Sequence, residues 1–209
     1  MLQSFMKFFI TKHIIVLLFL GFALEVAGQY SWKLARDKDG IKVYESNTKN
    51  SGFKSIKVES TLQGSFDKFI EVLNNVSHYK DWVYRTKTSY VIKRISLYEL
   101  YYYIETTIPW PMSNRDAVMH LRIDRDSSNR FLKVSTTSEL HFLPEKNGKV
   151  RVPYSSVSWY ITMPSAKTIH VIYIFEVNPG GEIPAWLANM FVDEGAYETF
   201  KKLSEVLNK

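Results

Sequence analysis

The sequence predicts an α+β fold in which a long, curved antiparallel sheet wraps around a C-terminal helix. Three observations lead there. Between residues 88 and 177 one strand-like segment follows another, joined by short polar links such as Asp126-Ser127-Ser128-Asn129 and Pro144-Glu145-Lys146-Asn147-Gly148, which is the rhythm of an antiparallel meander. Residues 66–73 switch to helical spacing, with Phe66, Phe69, Ile70 and Leu73 on one side. Residues 185–209 return to that spacing, with Val192, Ala196, Phe200, Leu203 and Leu207 on one stripe and Trp186, Met190 and Tyr197 on its neighbour. So wide an apolar surface must lie against something large, and the sheet is the partner available.

The chain begins with Lys7 and Lys12 ahead of a short apolar run, Ile14–Leu24, and the small residues Val26-Ala27-Gly28. This is the pattern of a secretory signal peptide. The run is shorter than the ~20 residues of a spanning helix, so cleavage after Gly28 is expected in preference to a retained anchor. Residues 29–209 then form one exported domain, long enough to enclose a core. The 209 residues include no cysteine, which removes disulfides and a lipidated N-terminal Cys. The formal charge is +6. Lys33, Lys38, Lys42, Lys49, Lys54 and Lys57 cluster early, either as a solvated face or as weak attraction to an anionic membrane.

A short helix or turn is expected over residues 31–38, then a turn at Asp39-Gly40 and a strand over 41–45. Ile56, Val58 and Leu62 alternate with Lys57 and Glu59, marking the next strand. Ser65 is placed to cap the helix that follows, which should end near Asn74-Asn75. Strands follow over residues 88–96, 98–108, 116–126, 130–140, 151–163 and 167–177. Asn178–Pro184 breaks the last one before the long helix.

The stretch Pro109-Trp110-Pro111-Met112-Ser113-Asn114-Arg115-Asp116 sits between two strands. Its prolines interrupt the ladder, and Trp110 is then expected to plug one end of the sheet. Arg115 and Asp116 open the next strand and need partners if buried, as a structural ion pair or turn clamp in preference to a ligand contact. Gly180 and Gly181 permit positive φ at the strand-to-helix turn, and Pro184 suits a first helical turn.

Residues 109–116 and 178–191 together resemble two signatures of the START lipid-transfer domain, in the family's order. The resemblance extends over about residues 31–207. It implies a helix-grip fold (START/Bet v1-like) with a tunnel between sheet and C-terminal helix that shelters one lipid or sterol, opened by the loop after residues 109–110 and by that helix. Sterol- and phosphatidylcholine-binding members place a tunnel-facing arginine six residues after the motif arginine. Here that position is Leu121, and Arg122 follows it. Strict alternation turns Met119, Leu121 and Ile123 inward and Arg122 outward. A one-residue bulge would reverse this.

Alternation gives Val118 or Met119, Leu121, Val157, Trp159, Ile161, Tyr173 and Phe175 as inward candidates, and Met190, Val192 and Tyr197 as candidates from the helix. The competing reading of each is plain core. Trp110 joins them as a candidate at the tunnel's end. Glycine at 195 admits two readings, a weak point in a helix that opens or a close approach of another group.

Catalysis finds little support. His78, His120, His141 and His170 show no metal-ligand spacing, and no G-x-S-x-G or phosphate-binding loop is present. Glu99 and Glu105 share a strand face with Tyr101 and Tyr103, readable as a catalytic carboxylate among aromatics or as a solvent face. Basic residues do not interleave with aromatics as a nucleic-acid platform would require. The expectation is a monomeric, noncatalytic carrier without cofactor or metal. Its partners would be one hydrophobic small molecule and, transiently, a membrane surface. A helix-grip enzyme of the polyketide cyclase type and an inert interaction domain are the alternatives.

Overall fold

The structure is a computed structural model that describes residues 31–47, 52–128, 130–181, 183–184, 189 and 192–209. The expected signal segment, Trp186 and Met190 lie outside the described residues.

The chain opens with a hairpin, β1 (Lys33–Lys38) and β2 (Ile41–Asn47), turned by Asp39 and Gly40 at φ 54° and 73°. Residues 33–38 are a strand and not the expected helix or turn. Their side chains are mostly exposed, so the segment shows no apolar alternation. The ladder to β2, propagated from the turn, makes it a strand. β3 (Lys54–Gln63) buries Ile56, Val58 and Leu62 and leaves Lys57 to pair with Glu59 at 2.6 Å.

Helix α1 (Phe66–Asn74) starts where the Ser65 hydroxyl accepts from the Lys68 amide, and it buries Phe66, Phe69, Ile70 and Leu73. A single 3₁₀ turn (Val76–His78) and the short helix α2 (Tyr79–Trp82) follow. Neither is long enough to show a period, and the sequence reading missed both. They bury Val76, Tyr79 and Trp82.

Then come β4 (Thr86–Arg94), β5 (Glu99–Thr106), β6 (Asn114–Arg125), β7 (Phe131–Ser138), β8 (Lys149–Arg151), β9 (Tyr154–Ser165), β10 (Thr168–Asn178) and helix α3 (Val192–Leu207). The sheet order is β1-β2-β3-β10-β9-β7-β6-β5-β4. All neighbours are antiparallel except β8, which runs parallel to the start of β6. The sequence reading joined β8 and β9 into one strand. Pro153 offers no amide to a ladder, the Val152 amide donates to Asp116 O at 2.9 Å, and the chain passes there from the β6 edge to its place beside β7.

Helix α3 packs on β2, β3 and α2. Phe200, Leu203 and Leu207 are fully sequestered, while Val192 and Ala196 are half-buried. The core therefore fills one end of the grip. Among the described residues no helix is long and apolar enough to cross a membrane.

Gly195 on α3 faces Tyr84, and a Cβ built on it would lie 2.9 Å from Tyr84 Cδ1. The Tyr84 amide also donates to Thr199 Oγ1 at 3.1 Å. This close approach accounts for the glycine. A Gly195→Ala change gains about 1 kcal/mol of helix propensity and loses about 1–3 kcal/mol to overpacking. The denaturant midpoint is expected to stay level or fall. A stabilised variant with slower ligand uptake would return the reading of a helix weakened in order to open.

Candidate functional site

Between the concave face of the sheet and α3 lies a cavity of about 380 Å³. Its walls come from β5, β6, β7, β9 and β10, from α2 and α3, and from the loops around residues 108–112 and 177–183. Met119, Leu121, Val157, Trp159, Tyr173 and Phe175 line it. So do Leu73, Tyr79, Trp82, Tyr84, Tyr102, Ile104, Ala117, Thr136, Thr199 and Phe200. At one end the lining is aromatic, with Trp159 and Phe200 buried and Tyr173 half-buried. Trp159 meets Phe69 at 5.4 Å, Tyr173 at 4.4 Å and Phe200 at 5.6 Å between ring centroids. At the other end Phe53, Lys54, Arg85, Ile108, Pro109 and Met112 are half-exposed.

Three of the candidates belong elsewhere. Ile161 is 1% exposed and does not line the cavity. It shares a face with Val157 and Trp159 but lies past the aromatic wall, within the core. Tyr197 is buried, yet its hydroxyl donates to Asp39 and its ring meets the Arg36 and Lys38 side chains at 5.2 and 5.4 Å. The helix presents Ala196, Thr199 and Phe200 to the cavity in its place. Trp110 does not plug the sheet, since it is 91% exposed. The Met112 amide donates to Pro109 O at 3.2 Å, which closes a tight turn. Pro109 and Met112 face the cavity, and Trp110 and Pro111 occupy the outer tip.

The ladders of β6 with β5 and β7 run without a bulge. Leu121 is therefore buried and Arg122 exposed on the opposite face. Tyr102 was within reach of the same parity argument, because Glu99, Tyr101, Tyr103 and Glu105 fix the other face of β5. Tyr79, Trp82 and Tyr84 had no such signal, lying on a short helix and the loop after it.

Arg115 and Asp116 do not pair with each other, since consecutive strand residues face opposite ways. The Arg115 guanidinium donates to Ser113 O at 2.5 Å, Gly180 O at 3.1 Å and Pro179 O at 3.4 Å. It thereby ties the start of β6 to the turn after β10. That turn needs glycine, because Gly180 has φ 66° and an added Cβ would stand 2.8 Å from Pro153 Cδ, while Gly181 has φ 64°. Pro184 is exposed beyond it. Asp116 receives Arg151 Nε at 2.9 Å and Nη2 at 3.2 Å. Arg151 also donates to the carbonyls of Leu140, Leu143 and Pro144. These residues frame the cavity and do not line it.

The face bearing Glu99 and Glu105 is partly covered by residues 140–149 and is not an open solvent face. His120 and Phe142 both stack on Tyr101, and His120 Nε2 lies 2.8 Å from Glu99 Oε1. Burial alone would push the Glu105 carboxyl up. Hydrogen bonds from Lys149, Asn114 and Lys87 outweigh it and hold the pKa at about 2. A carboxyl so stabilised as its anion is a poor proton donor near neutral pH. Its folded pKa lies below the ordinary 4.5, so its contribution is complete above pH 4.5 and lost as pH falls through 2. Glu105→Gln should cost about 2 kcal/mol at pH 7, discounted for solvent screening. The gap to the parent should close between pH 4.5 and 2 in acid-unfolding curves.

A hollow grip, with an apolar interior and motif residues spent on its frame, defines a helix-grip domain with a binding-sized cavity. A family model described as START domain matches residues 24–209, and the chain belongs to that family. The phosphatidylcholine transfer protein of Mus musculus is 30% identical over 176 residues, covering 82% of this chain and 81% of the relative. An uncharacterized protein of Pseudomonas aeruginosa is 29% identical over 181 residues, covering 85% and 87%. Among solved structures, the STAR-related lipid transfer protein fragment from Xanthomonas axonopodis superposes with a TM-score of 0.78 at 33% identity, covering 85% of this chain and 99% of that one.

Proposed function

We propose that this protein is a noncatalytic, monomeric carrier that holds one lipid or sterol-like molecule in the cavity and exchanges it at a membrane surface. The observation that carries the reading is the 380 Å³ cavity with its largely apolar and aromatic lining, within the 300–1,000 Å³ range of small-molecule sites. Each methylene moved from water into such a space gains about 0.8 kcal/mol. Relatives named as lipid transfer proteins support the same reading. Among the described residues no group of three or more metal-ligating side chains converges.

Delipidated protein titrated with fluorescent phospholipid, fatty acid and sterol probes should bind at least one of them below about 10 μM, roughly −7 kcal/mol. Failure with all three would leave an inert domain. The N-terminal reading adds export and cleavage after Gly28. Sequencing of the exported product should then begin at Gln29, and an intact Met1 in a membrane fraction would refute it.

Trp110 supplies the membrane contact in this reading. It stands fully out of the fold beside Pro109 and Met112 at the half-exposed end of the cavity, and tryptophan favours the water–lipid interface. Partial burial of its ring is worth about 1 kcal/mol. Trp110→Ala should slow lipid transfer between vesicles about fivefold and leave probe affinity in solution unchanged.

A further inference from the structure

The cavity carries polar groups that the fold leaves unused. Tyr79 donates its hydroxyl to Leu73 O at 2.6 Å and is satisfied. Tyr102, Thr136 and Tyr173 also line the cavity, and no hydrogen bond links their hydroxyls to any described residue. Tyr102 is 8% exposed and Thr136 3%, and Tyr173 is half-buried. The three hydroxyls come from β5, β7 and β10 and open onto the cavity, where an oxygen or nitrogen of a guest can pair with them.

The charge around them narrows the guest. The described lining contains no acidic residue, and its only cations are Lys54 and Arg85. Both belong to the half-exposed end. Lys54 is paired with Glu45, and the Arg85 guanidinium lies 5.3 Å from the Tyr84 ring centroid. Arg122 is on the opposite face of the sheet. A carboxylate or phosphate drawn to the tyrosines would lose its water and meet no cation, which is strongly unfavourable. Burial raises both phenols above the ordinary tyrosine range, and for Tyr173 the neighbouring Tyr102 adds to the shift. They therefore stay neutral and able to donate.

Resting on the carrier reading, we infer that the Tyr102, Thr136 and Tyr173 hydroxyls bind an uncharged oxygen of the lipid, a hydroxyl or an ester carbonyl, inside the cavity. Any charged group stays at the half-exposed end. Ten-carbon probes with one polar group each serve as minimal guests for the cavity of about 380 Å³.

The test measures binding of 1-decanol, methyl nonanoate, decanoate and decane to the delipidated full domain by equilibrium dialysis at pH 7.4. It compares the parent with the Tyr102→Phe/Tyr173→Phe variant, whose fold is checked by its thermal melt. The variant should bind decanol, the methyl ester or both about tenfold more weakly, the effect of about one lost hydrogen bond. Its retention of decane should be unchanged. Loss for decanol alone identifies a hydroxyl guest, and loss for the ester alone a carbonyl. Decanoate should bind the parent at least tenfold more weakly than decanol. Equal decanol and ester affinities in parent and variant, or tighter binding of decanoate than decanol, overturn the inference and leave the carrier reading standing. If the parent retains no probe, decane included, both fall together.

Discussion

Replacing Asp116 with alanine is expected to cost about 3–5 kcal/mol, the loss seen when one partner of a buried ion pair is removed. Asp116 is 1% exposed and Arg151 7%. Their bidentate contact at 2.9 and 3.2 Å is the only carboxylate that reaches the Arg151 guanidinium among the described residues. Arg151 cannot shed its proton, so the variant strands a buried cation. For a domain of this size the loss corresponds to a melting point lower by about 10 °C. Arg151 also gathers the carbonyls of Leu140, Leu143 and Pro144, so residues 140–144 should loosen and their amides exchange faster. Asp116→Ala/Arg151→Met separates the charge from the scaffold. It should recover at least about 1.5 kcal/mol relative to additive single losses. Strict additivity would show that the pair is not coupled.

How much of this was legible in the sequence depended on which physical signal each residue carries. Local rules were enough where one side chain decides the backbone. Asp39-Gly40 makes its turn, and Ser65 caps α1. Parity decided which face a strand residue takes. Met119 and Leu121 are inside and Arg122 outside because β6 runs without a bulge. Parity is silent about depth. Val157 and Ile161 share a face of β9, yet Val157 meets the cavity and Ile161 the core, since the Trp159, Phe69 and Phe200 rings come together from three elements distant in sequence. Helical spacing has a similar blind spot, as Tyr197 and Ala196 are neighbours and only packing decides which one turns toward β1 and β2. Trp110 misled for another reason. A large apolar side chain is ordinarily sequestered, and the turn between Pro109 and Met112 that pushes it outward is a matter of backbone hydrogen bonding.

The pair Val157 and Ile161 also gives the second large effect. Val157→Phe is expected to leave stability within about 1 kcal/mol and to weaken lipid binding about a hundredfold. The added ring enters existing space, so it meets no overpacking cost of the kind a filled core exacts. It also takes room that three or four methylenes of the guest would occupy. At about 0.8 kcal/mol for each methylene kept in water, the loss is about 2.4–3.2 kcal/mol. Ile161→Phe should do the reverse. That site is closed on every side, so the larger ring strains its neighbours by about 1–3 kcal/mol and leaves the cavity wall in place. The probe affinity of whatever fraction stays folded should match the parent. Paired denaturant melts and probe titrations read both quantities on the same samples. If the two substitutions destabilise equally and neither affects binding, the space beside Val157 is ordinary core and the lipid is held elsewhere.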